Sequence, residues 1–364
     1  MRRIGLIVNP IAGIGGRLGF KSSDGALAKK ARELGASSSA PHRTVEALRG
    51  MLNATIKFTI LTYPSEMGQN EAFESGFHPT VIGSIQAGNT TGEDTRRAVK
   101  DLIEEEVELI LFSGGDGTAR DIMEMLNERI PVIGIPAGVK LHSGVFAINP
   151  KLAGTLAINF LSGQTLTRSV EVVDYDDAGN LKLYGYMRVP YDQALVQDTK
   201  STTFLNDDGE AIAAGIIEEL SDDYAYIVGP GSTAKTFMKL LKLPSTLLGV
   251  DVVKSKQLLV KDANEAQLLD VVNRFKSKIL IGVIGGQGFL FGRGNQQISP
   301  RVIRHVGKHN LIVVATEAKM ASLKGRPLLV DSGDEQLDKS LVGYIKVNVA
   351  YKTSVVCRVA QSRA

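Results

Sequence analysis

Short strand-like segments alternate with helix-like segments through the first half of the chain. The strand-like segments are apolar and rich in β-branched residues, and each ends in glycine, proline or polar residues; they are RIGLIV, KFTILT, TVIGSI, ELILFS and PVIGIP. Segments such as GEDTRRAVKDLIEEE and RDIMEMLNERI lie between them and have the composition of helices. Such alternation predicts right-handed crossovers and a parallel sheet covered on both faces. Ligands of these sheets bind beyond the carboxyl ends of the strands.

The pattern changes near residue 166. The segment RSVEVVDYDDAGNLKLYGYMRVP contains two strand-like runs around DDAGN, which predicts an antiparallel hairpin. Strand and helix alternate again after about residue 225, and the final VGYIKVNVAYKTSVVCRVA is typical of paired strands. We therefore predict two α/β domains. Residues 1–165 form a Rossmann-like parallel-sheet domain, and residues 166–364 form a mixed domain with β-rich and α/β parts.

Composition limits the classes of function. The 364 residues carry a formal net charge of +3, which fits phosphorylated ligands and gives no reason to expect nucleic acid. No apolar stretch is long enough for a membrane span, and the first apolar run is interrupted too early for a signal peptide. Cys357 is the single cysteine, so no intrachain disulfide can form. We expect a cytoplasmic protein without a membrane partner.

Glycine-rich loops follow several of the predicted strands. Glycine lets backbone N–H groups approach an anion, and the N-terminus of a following helix adds partial positive charge. The loops are NPIAGIGG (9–16), SGGDGT (113–118), IPAGVKLHSG (135–144), GPGSTAK (229–235) and IGGQGFLFGRGNQQ (284–297). Together they favour a phosphorylated ligand. None has the Walker A spacing, and the first strand lacks the Gly-x-Gly-x-x-Gly of standard dinucleotide-dependent dehydrogenases.

Asp116 lies inside one of these loops, where a carboxylate would repel a bound polyanion unless it has a chemical task. It could take a proton from an attacking hydroxyl or hold a magnesium ion that bridges phosphates. Either task belongs to phosphoryl transfer. The alternative is that Asp116 only caps a helix that begins at Thr118.

The motif GGDGT, residues 114–118, resembles the signature of the superfamily that joins NAD kinases, diacylglycerol kinases, sphingosine kinases and, more distantly, 6-phosphofructokinases. The segment NPIAG at 9–13 resembles the first-strand motif of this group, and GSTA at 231–234 resembles the second NAD kinase motif. Over nearly its whole length the chain is similar to predicted ATP- or polyphosphate-dependent NAD kinases of the acetoin-catabolism X-protein type.

This resemblance implies roles for particular residues. Asp116 would act on the acceptor hydroxyl, which in NAD is the adenosine 2′-hydroxyl, while Mg²⁺ would arrive with ATP and no metal would be held by the protein alone. The residues implied in nucleotide or phosphate binding are Asn9, Gly13, Gly114, Gly115, Gly117, Thr118, Ser232 and Thr233. The small-molecule substrates would be ATP (or polyphosphate) and NAD, and the resemblance also implies a homo-oligomer.

The chain departs from the common NAD kinase pattern at two places. The acidic pair expected between the two motifs has one near match, Asn206-Asp207, which reads equally well as a surface turn. Lys235 follows the second motif where an aromatic residue is usual; a lysine can meet a phosphate but cannot stack on a base.

Other polar residues have both a functional and a structural interpretation. Lys140 is predicted to neutralise a transferring phosphoryl group, and His142 could donate to it, although a solvated lysine beside a structural histidine explains the sequence equally well. Arg293 could bind phosphate or be an ordinary loop arginine. His305 and His309 are four residues apart but have no further ligand, so we expect no zinc site.

Three functions remain open at this point. The first is a kinase that phosphorylates NAD. The second is a kinase for another hydroxyl, of a lipid or a small polyol; the absence of tryptophan and of an evident amphipathic helix argues against a lipid. The third is a nucleotide sensor without turnover, against which the intact Asp116 argues.

Overall fold

The computed structural model describes residues 2–20, 30–126, 128–138, 141–175, 181–192 and 208–362. These residues form two compact units. The first unit contains the described residues 2–14 and 30–192, and the second contains 15–20 and 208–362. A short segment near the N-terminus therefore belongs to the second unit, although the chain on either side of it belongs to the first.

The first unit begins with five strands that alternate with helices, as the sequence predicts. The strands are β1 (Arg2–Val8), β2 (Phe58–Thr62), β3 (Thr80–Val81), β4 (Leu109–Gly114) and β5 (Val132–Pro136). The helices are α1 (Ala40–Arg49), α2 (Gln69–Glu74), α3 (Gly92–Glu104), α4 (Asp116–Leu126) and α5 (Pro150–Leu161), with a 3₁₀ turn at Ser65–Met67. Residues 30–33 are also helical.

The five strands form a parallel sheet with the order β3-β2-β1-β4-β5. Every residue of β4 is buried, as expected for a strand with helices on both faces. The chain adds β2 and β3 on one side of β1 and then returns to place β4 on the other side. The crevice between the carboxyl ends of β1 and β4 is therefore the topological switch point, where sheets of this kind bind ligands. The predicted Rossmann-like parallel sheet is confirmed.

The predicted hairpin is also confirmed, as the antiparallel strands β6 (Leu166–Tyr175) and β7 (Leu181–Tyr191). It packs on the first unit, since Val170, Val172, Met187 and Val189 are buried in the hydrophobic core of that unit. The division expected after residue 165 therefore differs from the structure, which keeps the hairpin with the parallel sheet. The sequence shows that two strands pair, but it does not show which core receives their apolar side chains.

The second unit contains one mixed sheet with the order β10-β9-β8-β11-β13-β15-β16-β14-β12. Its strands are β8 (Ala225–Val228), β9 (Asp251–Lys254), β10 (Gln257–Val260), β11 (Ser277–Gly282), β12 (Phe289–Phe291), β13 (Leu311–Val314), β14 (Leu328–Val330), β15 (Gly343–Ala350) and β16 (Thr353–Gln361). Its helices are α6 (Asp208–Glu218), α7 (Ser232–Leu240), α8 (Glu265–Arg274), α9 (Pro300–Val306), α10 (Glu317–Ser322) and α11 (Glu335–Leu341).

Parallel and antiparallel pairs coexist in this second sheet. The strands β8, β11, β13 and β15 run parallel, whereas β15 and β16 form the antiparallel pair predicted at the end of the sequence. The predicted mixed fold of the second part is thereby confirmed. Among the helices of the described ranges, none is long and apolar enough to cross a membrane.

A buried carboxyl group in the first unit gives a pH-dependent prediction. Glu71 on α2 is buried, and its Oε2 has no hydrogen-bond partner among the described residues. Burial, together with the charges of Glu66 and Glu74, raises the pKa of Glu71 from 4.5 to about 7. Between these two pH values the unfolded chain releases this proton and the folded protein keeps it, so stability falls as pH rises through that range.

Replacing Glu71 by Gln should abolish this loss of stability. The Glu71→Gln variant is expected to match the native protein near pH 4.5 and to exceed its free energy of unfolding by about 2 to 3 kcal/mol above pH 7. Urea unfolding at both pH values measures the difference. The same change at the exposed Glu74 on this helix should have little effect. An equal effect of Glu71→Gln at both pH values would contradict the assignment.

Candidate active site

The candidate active site lies at the switch point of the first unit. It is built from the segments that follow β1, β4 and β5 and from the end of β6. Asn9 follows β1, and its backbone N–H donates to the carbonyl of Ser113 in β4 at 2.9 Å. The N–H groups of Ala137 and Gly138, which follow β5, donate to the carbonyl of Gly114 at 3.1 and 2.9 Å. These backbone hydrogen bonds hold three loops against one another.

Asn9 joins the first loop to the GGDGT loop through its side chain. Its Nδ2 donates to Thr118 Oγ1 at 2.9 Å, and its Oδ1 accepts from the N–H of Ile11 at 3.1 Å. One amide therefore shapes the turn after β1 and fixes the hydroxyl of Thr118, which is buried in the first turn of α4. The structure thus brings together two residues that are 109 positions apart in the sequence.

Glycine is required at two of these positions because neighbouring groups approach closely. Gly13 has a φ of 79°, and a Cβ there would lie 2.2 Å from Ser39 Oγ and 2.3 Å from the carbonyl oxygen of Ala137. A Cβ on Gly114 would lie 2.5 Å from Thr118 Oγ1. At Gly117 the nearest atom to such a Cβ is Asp174 Oδ2 at 3.8 Å, an ordinary contact distance, so close packing does not require glycine there.

Asp116 is the first residue of α4, and its buried carboxylate reaches to the loop after β5. The backbone N–H groups of His142 and Ser143 donate to Oδ2 and Oδ1 at 2.8 and 2.9 Å, and His142 Nδ1 lies 3.1 Å from Oδ2. The helix starts at Asp116, two residues before the expected Thr118. Among the described residues, this carboxylate accepts hydrogen bonds from residues 142 and 143 and from none of its own helix, so helix capping does not explain its position.

Ser143 and Tyr175 support His142 in different ways: Ser143 fixes the neighbouring backbone, and Tyr175 packs against the ring. The buried Ser143 hydroxyl donates to the carbonyl of Val173 at 2.9 Å and accepts from the N–H of the same residue at 3.1 Å. Tyr175 packs against His142 edge to face, with ring centroids 5.2 Å apart. Its hydroxyl lies 3.5 Å from His142 Nε2. Burial, and then the charges of Asp116 and Asp174, raise the pKa of Tyr175, so this hydroxyl keeps its proton.

A second carboxylate near the site has a cationic partner. Asp174 Oδ2 lies 3.4 Å from the guanidinium of Arg120, on the helix that Asp116 begins. Arg120 also lies over the ring of Tyr184 at 5.2 Å. The residue pattern alone indicates no functional role for Ser143, Asp174, Tyr175 or Arg120. Arg120 lies one turn further along the helix of Asp116, and Ser143 lies in the loop after β5. Asp174 and Tyr175 reach this cluster because the β6–β7 hairpin packs on the first unit.

Of the residues that the resemblance implies, the structure brings together those of the first unit. The group at the switch point consists of Asn9, Gly13, Gly114, Gly115, Asp116, Gly117 and Thr118. Ser232 and Thr233 begin α7 in the second unit, directly after β8. Lys140 and the pair Asn206-Asp207 lie outside the described residues.

Lys235 has a structural partner instead of a phosphate. Its Nζ donates to Asp251 Oδ2 at 2.7 Å and to the carbonyl of Val228 at 3.1 Å, and both side chains are buried. The carboxylate also accepts from the N–H groups of Thr246 and Asp262 at 2.9 Å and from the Thr246 hydroxyl at 2.8 Å. Burial alone would raise the pKa of Asp251, but these donors hold it below its usual range. Burial lowers the pKa of Lys235, and the contact with Asp251 offsets part of this decrease.

The second unit contains three further polar residues for which the sequence suggests a possible function: Arg293, His305 and His309. Arg293 is buried, with its guanidinium carbon 4.8 Å from the ring centroid of Phe289, so it is not an exposed loop residue. His305 is in α9, but Gly307 ends that helix before His309, so the two histidines do not share a helix face. In the ranges that the structure describes, no three His, Cys, Asp or Glu side chains are grouped to hold a metal ion.

The fold and this cluster define an α/β protein with a glycine-framed acidic loop at the switch point of a parallel sheet. The model of the ATP-NAD kinase N-terminal domain matches residues 4–165, and that of the ATP-NAD kinase C-terminal domain matches residues 221–359. The chain therefore belongs to the ATP-NAD kinase family. The first match contains the whole GGDGT loop, and it ends immediately before the hairpin that completes the first unit.

Solved structures are similar to parts of the chain. A putative diacylglycerol kinase from Bacillus anthracis strain Sterne is 17% identical, with 49% of this chain and 44% of that chain covered and a TM-score of 0.25. A diacylglycerol kinase from the same strain is 16% identical, with 50% and 59% covered and a TM-score of 0.22. The matched region is thus less than two thirds of either structure. No curated protein matches the chain.

Proposed function

We propose that this protein is a small-molecule kinase that transfers a phosphoryl group from ATP or polyphosphate to the 2′-hydroxyl of NAD, producing NADP. The family membership supports a kinase. The observation that carries the proposal is the position of Asp116: a fixed carboxylate at the switch point, framed by Gly114, Gly115 and Gly117 at the start of a helix. A site for a phosphorylated ligand beside a proton acceptor is what phosphoryl transfer to a hydroxyl requires.

The donor phosphates would bind at the start of α4. The N–H groups of the first turn of a helix are free to donate, and the helix dipole favours anions there. Gly114, Gly115, Gly117 and Thr118 supply backbone in this region, and a Cβ on Gly117 would meet no atom closer than 3.8 Å. Asn9 and Gly13 would line the same crevice through their contacts with Thr118 and Ala137. Lys140 is proposed to neutralise the transferring group.

Mg²⁺ would accompany the donor, where it would neutralise charge on the phosphates. The described residues contain acidic side chains near the site, Asp116 and Asp174, but no group of three or more potential ligands. This arrangement fits an ion held mainly by the phosphates better than one held by a protein cage.

The acceptor would act through its hydroxyl, facing the Asp116 cluster. Asp116 would receive the proton directly, at the acceptor position left on Oδ1, or through His142. We propose Ser232 and Thr233, at the N-terminus of α7, as residues that hold the acceptor nucleotide. We also propose that the protein is cytoplasmic, which the single cysteine supports, and that it is a homo-oligomer without a membrane partner. The modest net charge of +3 supports the absence of a nucleic-acid partner.

The direct test is NADP formation. Purified protein is incubated with Mg²⁺, NAD and either ATP or polyphosphate, and NADP is detected with an NADP-specific dehydrogenase. We expect NADP with at least one donor, and the donor that yields it is thereby identified. Absence of NADP with both donors, from a folded protein that binds ATP, would contradict NAD as the acceptor. ATP consumption with other hydroxyl compounds would then separate a different kinase from a sensor without turnover.

A further inference from the structure

The carboxylate of Asp116 is almost fully occupied by donors from the protein itself. Two carboxylate oxygens offer about four lone-pair positions. Three of these are used by the backbone N–H groups of His142 and Ser143 and by the His142 ring. A carboxylate in this position is well suited to orient a neighbouring group, because its own orientation is fixed by helix α4, which it begins, and by the loop after β5, which donates to it.

The contact between the ring and the carboxylate determines which nitrogen of His142 carries the hydrogen. His142 Nδ1 faces Asp116 Oδ2 at 3.1 Å. An ionised carboxylate can only accept, so the hydrogen lies on Nδ1 and the neutral ring presents an unprotonated Nε2 on its other side. The His142 side chain is 11% exposed, compared with 5% for Asp116, so both groups are largely buried and the ring is slightly more accessible than the carboxylate.

We infer that His142 is the base that takes the proton of the acceptor hydroxyl, and that Asp116 acts through it as the residue that orients the ring and stabilises its charged form. The inference rests on the proposed kinase function. The arrangement has the logic of the Ser-His-Asp triad, in which a buried carboxylate holds Nδ1–H and Nε2 performs the proton transfer. Here the hydroxyl belongs to the acceptor instead of the protein.

The surroundings of the ring are consistent with this task. The Ser143 hydroxyl donates one hydrogen bond to the backbone of Val173 and accepts another from it, and thereby anchors the loop that carries His142. Tyr175 closes one side of the ring, and its hydroxyl, 3.5 Å from Nε2, is at the outer limit of a hydrogen bond. An acceptor hydroxyl that approaches more closely can replace this weak contact without the loss of a strong one.

The chemical step balances with the substrates already proposed. The O–H bond of the acceptor breaks and its proton moves to Nε2, while the oxygen forms a bond to the terminal phosphorus of the donor. The bond from that phosphorus to the bridging oxygen breaks, and its electron pair leaves with ADP or with the shortened polyphosphate. The imidazolium, stabilised by Asp116, then releases its proton to solvent.

The substitution His142→Asn separates this role from a structural one. The amide nitrogen of asparagine can take the place of Nδ1 and still donate to Asp116, but the side chain has nothing at the position of Nε2. We expect kcat for NADP formation to fall about a thousandfold, as for loss of an acid–base group, while the dissociation constants of ATP and NAD remain unchanged. Adding Asp116→Asn should lower kcat little further, because the two residues act as one unit. His305→Asn, at an exposed histidine of α9, is the matched control.

The outcomes distinguish this inference from the proposed function. An active native protein with an equally active His142→Asn variant would overturn the inference alone and leave His142 as a donor to Asp116. A native protein that phosphorylates nothing would overturn both. If the variant fails to fold, ¹⁵N NMR of the native protein replaces it, with the five histidines assigned by single substitutions. Nδ1–H with an unprotonated Nε2 supports the inference, and the opposite tautomer refutes it.

Discussion

Asp116→Asn is expected to lower kcat for phosphoryl transfer about a thousandfold, in the range found for removal of an acid–base group. Asparagine removes the negative charge that stabilises a protonated His142. It also places an NH₂ group against one of three donors that now face the carboxylate. The resulting mismatch should cost about 1 to 2 kcal/mol of stability. Nucleotide binding should persist, because the backbone of the GGDGT loop is unchanged.

Steady-state kinetics and equilibrium ATP binding on the same preparation measure these two effects separately. The matched control is Asp270→Asn, the same chemical change at an exposed ion pair with Arg274 on α8. Turnover by Asp116→Asn within a few fold of the control would contradict any role of this carboxylate in the reaction. Loss of ATP binding together with turnover would instead indicate that Asp116 maintains the loop.

Lys235→Met is expected to lower the free energy of unfolding by about 3 to 4 kcal/mol. The substitution removes the ammonium group that contacts Asp251 Oδ2 and leaves a fully buried carboxylate without its cation. The hydrogen bonds from Thr246 and Asp262 remain, but they do not compensate for the charge. The cost therefore comes from the uncompensated charge more than from the lost hydrogen bond.

Chemical unfolding followed by circular dichroism checks this value. Lys239→Met, four residues further along the same helix, is the control, because Lys239 pairs with Glu210 in solvent and should contribute less than about 1 kcal/mol. If the two variants were equally stable, the buried pair would not be important for the second unit. The phosphate role considered for Lys235 on the sequence alone would then be open again.

The case of Lys235 shows where sequence reasoning reaches its limit. The residue lies in a glycine-rich loop motif, and a lysine in such a loop commonly meets a phosphate. Its partner, Asp251, is 16 positions away and is brought to it only by the antiparallel pairing of β8 and β9. A contact of this kind depends on register, which the residue pattern does not specify.

The parallel sheet of the first unit is easier to predict from the sequence than such a contact, because the order of strands and helices along the chain largely determines it. Continuous apolar runs such as Leu109–Phe112 predict strands buried on both faces. The motif around Asp116 was equally clear. The contact between Asp116 and His142 cannot be predicted in the same way, because it requires β5 to lie beside β4. Only then do these residues, 26 positions apart, meet.

The path of the chain between the two units matters for anyone who wishes to study them separately. Residues 15–20 belong to the second unit, where the carbonyl of Arg17 accepts from the N–H of Glu265. A truncated protein that ended near residue 200 would keep this segment but lose its partner. Independent expression of the first unit therefore requires a designed connection from Ile14 to the chain beyond the segment, and a single cut cannot yield two intact halves.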